Sequence, residues 1–220
     1  MPVCREARQG IRPAWFSRLR CGQPYGCPYS ERHGWRPYIG ILIILLIPTL
    51  AHASCDYVEV LSGASRGPLS APQADYETVP LRIALSSDAR PMLRHIFGHA
   101  PCGDWEYQIE PFVESVTSPR SNVEIGCALG LKYTFDTGGD LRPYLKASSG
   151  PLYMSQHTLE QATLFNIGSQ AALGLQCRCG RDSALLLELR LRHVSNASIA
   201  APNSGIDNSA VLAGWRWKVR

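Results

Sequence analysis

Residues 164–179 read LFNIGSQAALGLQCRC. Their odd positions (Phe165, Ile167, Ser169, Ala171, Leu173, Leu175, Cys177, Cys179) are mostly apolar, and their even positions (Asn166, Gly168, Gln170, Ala172, Gly174, Gln176, Arg178) are small or polar. A period of two predicts a strand with two unlike faces. Residues 123–133 repeat the pattern, with Val123, Ile125, Cys127, Leu129, Leu131 and Tyr133 set against Glu124, Gly126, Ala128, Gly130 and Lys132. So do residues 185–192, where Leu185, Leu187, Leu189 and Leu191 alternate with Leu186, Glu188, Arg190 and Arg192. Residues 105–115, 141–154 and 208–219 bring the strands to six, and weaker segments at 56–62 and 79–86 bring them to eight. The stretch 87–103, with Pro91, Pro101 and Gly103, reads as a loop.

Working outward, the front of the chain is of a different kind. Residues 39–50 (IGILIILLIPTL) are uncharged and apolar, too short for a spanning helix and suited to the core of a signal peptide, with Ala51-His52-Ala53 as a cleavage site. The segment before them holds seven arginines and two glutamates, a long basic leader whose length points to a start assigned upstream of the true one. We therefore expect a leader over 1–53 and one folded domain over 54–220. The formal charge of +4 belongs to the leader; the remainder carries 15 basic and 16 acidic residues, which gives no reason to expect nucleic acid as a partner.

Cys55, Cys102, Cys127, Cys177 and Cys179 remain after the leader, an odd number at irregular spacing that forms no disulfide framework. Cys177-Arg178-Cys179 lacks the second pair or histidine partner that a metal site requires, so neither a metal nor a cofactor is expected.

An even number of strands of roughly ten residues behind a signal peptide is the pattern of a small outer-membrane barrel. Alternation alone leaves open a secreted, lipocalin-like barrel with its apolar face inside. The second face favours the membrane version: glycine and alanine mixed with Glu, Gln and Arg suit a narrow, crowded polar lumen. The expected fold is all-β, an eight-stranded antiparallel outer-membrane β-barrel.

One stretch carries chemistry. Residues 192–207 read RHVSNASIAAPNSGID, where His193 and Ser195 continue the register of the four leucines and would share their outward face. After the turn signal Pro202-Asn203-Ser204-Gly205, Asp207 lies in register with Val211 and Trp215 on the next strand. Polar groups on a lipid-facing wall cost a few kcal/mol at the midplane and far less near the headgroups, which places these three toward the membrane edge. A serine needs a base to become nucleophilic, and an imidazole oriented by a carboxylate is such a base. Side chains two apart on one strand face start roughly 6 to 7 Å apart, close enough to lean together. The same residues could instead lie beyond the lipid in an exposed hairpin with no catalytic part.

At Arg192-His193-Val194-Ser195-Asn196-Ala197, Ile199, Pro202-Asn203, Gly205-Ile206 and Asp207, the chain resembles the lipid A 3-O-deacylase (PagL) family, also described as acyloxyacyl hydrolases. Trp105-Glu106-Tyr107, Glu110-Pro111-Phe112, Arg142-Pro143-Tyr144 and Phe165 to Gln170 add weaker support, so that the resemblance spans roughly 103–217. It implies an outer-membrane barrel of a Gram-negative bacterium with an outward Ser-His-acid triad that hydrolyses an ester-linked acyl chain of lipid A, the lipopolysaccharide anchor. Ser195 matches the nucleophile, His193 the base and Asp207 the acid; beside them we expect Asn196, with nearby backbone N–H groups, and Asn203 at the oxyanion and substrate positions. The chain departs from the family in having Asp207 where glutamate is usual and Ser198 where glycine is often found. Cofactors are not implied, and a homodimer stays open. The competing reading is a non-enzymatic outer-membrane barrel of the same fold.

Overall fold

The computed structural model describes residues 55–69, 75–99 and 101–219, all within the unit Leu46–Arg220. The expected leader lies outside the described residues. Eight strands, β1 (Tyr57–Gly67), β2 (Tyr76–Asp88), β3 (Asp104–Ser118), β4 (Asn122–Thr134), β5 (Leu141–Met154), β6 (Phe165–Arg178), β7 (Ser183–Ser195) and β8 (Ile206–Lys218), follow one another around a closed barrel. Every neighbouring pair is antiparallel, and β8 returns to β1 through pairs such as Val60↔Trp215. Because the strand count is even, both ends of the barrel chain lie at one rim, and the hairpin joining β7 to β8 opens at the other.

The alternation settles which face is outside. On β7, Leu185, Leu187, Leu189 and Leu191 are 48–66% exposed, whereas Glu188 and Arg190 are 1–2% exposed. Val79, Leu81, Ile83 and Leu85 do the same on β2. An apolar exterior over a charged interior is the inverse of a lipocalin and the arrangement of a transmembrane barrel, so the secreted alternative is excluded.

Buried charges inside are paired. Glu110 accepts hydrogen bonds from Arg82 (2.8 Å), Arg190 (2.5 Å) and Lys146. Glu59 takes Lys132 (2.6 Å) and Arg216, and Arg192 reaches Glu124 (2.6 Å) and Glu114 (3.1 Å). Such charges are tolerable in a confined interior only when opposite partners satisfy them. Small inward residues make the room: a side chain at Gly174 would run into the buried ring of Tyr144. Nearer the β7–β8 hairpin, Tyr76, Phe112, Val116, Leu152, Met154, Val194 and Ile206 form an apolar cluster that fills the lumen.

The segment 87–103 differs from the expected loop: it holds a helix, α1 (Arg90–Phe97). Pro91 falls in its first turn, where a missing N–H costs nothing, and Gly98 ends it at φ +77°, its N–H on the carbonyl of Arg94 (2.9 Å). At two turns long, with only Leu93 buried, the helix leaves almost no periodic trace in the sequence. β1 and β2 also run further than the alternation suggested. The hairpin end of β1 carries Ser62, Gly63, Ser65 and Arg66, which obscure the pattern, yet its ladder pairing with β8 continues to Arg66↔Ser209.

Candidate functional site

β7 ends at Ser195 and β8 begins at Ile206, so residues 196–205 form the connecting loop. His193 and Asp207 are direct register partners across these two strands. Cross-strand partners have Cα atoms roughly 4.5–5.5 Å apart, so a short acid suffices: His193 Nδ1 lies 2.6 Å from Asp207 Oδ1. With Nδ1 engaged there, Nε2 is the ring nitrogen left for a second partner. Both side chains are exposed on the outer wall, one step beyond Leu191.

The turn shapes this pair. Gly205 has φ +80°, and a Cβ built on it would stand 2.7 Å from Cε1 of His193. Only a residue without a side chain lets the loop pass so close beneath the imidazole. An open recess of about 600 Å³ adjoins the pair, with Ser169, Leu191, Ser209 and Arg66 among its lining residues.

Ser195 pairs with Ile167 of β6 and is half-buried at the strand end. Among the described residues its hydroxyl makes no hydrogen bond to His193; such contacts often tighten only with substrate bound. Thus the histidine and the acid are joined, and the serine shares their face without a direct bond.

Asn196 and Asn203 are joined to each other: Asn203 Oδ1 accepts the backbone N–H of Asn196 (2.9 Å). Asn196 itself is buried, and its amide nitrogen donates to the carbonyls of Ala200 (2.8 Å) and Pro202 (3.5 Å). Both of its nitrogens are therefore committed within the loop. The next two residues, Ala197 and Ser198, take left-handed conformations with φ +54° and +62°. Such values are strained for residues with a Cβ, which is a reason for glycine to suit the second of these places. Among the described residues, the amides of Ala197 and Ser198 donate no hydrogen bond.

Gln161 and Gly205 were not singled out in the sequence as site residues. Gly205 was read only as part of the turn, without a part in placing His193; Gln161 sits in a different loop, and nothing local marks it. Among the described residues no cluster of three or more His, Cys, Asp or Glu side chains could hold a metal ion.

A family model described as lipid A 3-O-deacylase (PagL) matches residues 96–216. A search of the curated proteins finds no match. Among solved structures, Neisserial surface protein A is similar at a TM-score of 0.56 and 16% identity, over 76% of this chain and 98% of that one. The outer membrane enzyme PagL is similar at a TM-score of 0.50 and 18% identity, over 72% of this chain and 97% of that one. At such identities the structural likeness is one of fold.

Proposed function

The chain belongs to the lipid A 3-O-deacylase (PagL) family of outer-membrane barrels, and from that premise we propose that it is a serine esterase removing an ester-linked 3-O acyl chain from lipid A. The observation that carries this reading is the 2.6 Å His193–Asp207 pair on the lipid-facing wall, with Ser195 on the same face.

Asp207 holds the proton on Nδ1 of His193, leaving Nε2 as the base. Nε2 takes the proton of Ser195, whose Oγ attacks the ester carbonyl carbon. As the tetrahedral intermediate collapses, the proton passes from His193 to the departing sugar oxygen. A water, deprotonated by the same ring, then releases the hydroxy fatty acid and restores the serine. Because the nitrogens of Asn196 are committed to the loop, the oxyanion is assigned to the amides of Ala197 and Ser198, fixed donors of the kind that stabilise developing charge. The hairpin-bearing rim faces the outer leaflet in this reading, and the acyl chain lies along Leu191 and Leu189. A barrel whose lumen is filled with side chains can process a lipid only from outside.

Mass spectrometry of lipid A from cells expressing the native chain or Ser195→Ala tests it. One hydroxyacyl mass is lost with the native serine, and no loss occurs in the variant, whose heat-modifiable gel migration is unchanged. Equal deacylation by both would refute the mechanism.

A further inference from the structure

Ser195 stands where the sheet runs out. The ladder between β7 and β8 ends at Val194↔Ile206, so on the β8 side the serine has no strand partner. Two side-chain amides act in place of one. Nε2 of Gln161, in the β5–β6 loop, donates to the carbonyl of Val194 at 3.2 Å. Asn203 Oδ1 accepts the N–H of Asn196 at 2.9 Å. That carbonyl belongs to the peptide group before Ser195, and that N–H to the peptide group after it. Peptide groups are planar, so fixing both planes fixes φ and ψ of the residue between them and, with these, the direction of its Cα–Cβ bond.

The two amide residues are themselves joined. Gln161 and Asn203 form an antiparallel backbone bridge, flanked by Ala162 N–H to Pro202 O (2.9 Å) and Ser204 N–H to Glu160 O (3.0 Å). Gln161 is fully buried at this junction. A buried carboxamide aimed at one backbone carbonyl is a costly feature unless its bond is needed.

From this geometry we infer that Gln161 and Asn203 are positioning residues for the nucleophile, clamping the two peptide groups that flank Ser195 and tying the β5–β6 loop to the site. The inference rests on the esterase reading above. It gives Oδ1 of Asn203 the work of an acceptor and makes the neighbouring hairpin part of the active site. The left-handed turn at Ala197 and Ser198 follows directly, so the same clamp holds the amides assigned to the oxyanion.

The test uses the full chain folded in detergent, labelled at Ser195 with a fluorescent fluorophosphonate, alongside exchange of the Asn196 amide followed by NMR. Gln161→Leu and the unbranched Gln161→Met both remove the donor. Each is expected to slow labelling by about 100-fold, the scale of an ångström's misplacement, while heat-modifiable migration persists. Asn203→Ala is expected to speed Asn196 exchange and slow labelling, whereas Asn203→Asp, which keeps an acceptor, restores slow exchange. Labelling at the native rate in folded Gln161→Leu and Gln161→Met would overturn the positioning role and leave the esterase reading intact. An Asn203→Asp variant whose Asn196 amide exchanges as fast as in Asn203→Ala would likewise overturn the acceptor role. A native chain that takes no label while Ser195 is accessible would overturn the esterase reading itself, and the inference with it.

Discussion

At Gly205 a single missing side chain decides where the imidazole can stand. A methyl group there would lie 2.7 Å from Cε1 of His193 on a backbone of φ +80°, so Gly205→Ala combines a steric push on the ring with backbone strain of about 1–2 kcal/mol. The expected outcome is a fall in kcat with little change in KM, since the ring moves and the lipid-facing wall does not; steady-state assays on detergent-solubilised lipid A check it. A parallel rise in KM would mean that the turn contacts substrate instead. The acid illustrates how local geometry replaces a family habit: directly across the ladder from His193, an aspartate reaches the ring at 2.6 Å. That His193, Ser195 and Asp207 share the outer face was legible in the sequence, because outward register extends two steps beyond the leucines and resumes on the next strand. The commitments of Asn196 were not, because they depend on how a ten-residue loop folds back on itself.

For the strands, period-two alternation carried nearly all the information, and it was clearest where both faces are consistent, as on β6 and β7. It weakened toward the hairpin end of β1, where Ser62 and Arg66 stand outside and Ser65 inside, and it said nothing of α1, whose two turns bury one leucine. Which polar residue meets which inside the barrel is set by strand tilt and closure, beyond the reach of a one-dimensional pattern. Those meetings matter energetically. Glu110, from β3, is shared by Arg82 on β2, Lys146 on β5 and Arg190 on β7, so it links strands that are not neighbours. Glu110→Gln is expected to leave these cations undercompensated and to destabilise the barrel by about 3–5 kcal/mol. Urea titration of refolding into liposomes measures it, and a change below about 1 kcal/mol, the range of an exposed pair, would mean that lumen water screens these charges.

Taken whole, the barrel is filled. Paired charges occupy the lumen, and the apolar cluster around Tyr76, Phe112 and Met154 closes it toward the β7–β8 hairpin. We therefore expect no stepwise ion conductance when the purified protein is inserted into planar bilayers; discrete openings would show that the cluster yields. In the proposed esterase the ring of strands serves as a rigid post with its chemistry on the outside. His193 and Asp207 stand on the outer wall just beyond Leu191, so on that reading a lipid meets them by sliding sideways within its own leaflet. Encounter then takes place on a surface. What such a protein senses is how many substrate molecules lie in each unit of membrane area, and inert lipid crowded around it slows turnover even when the amount of substrate in the vessel is unchanged.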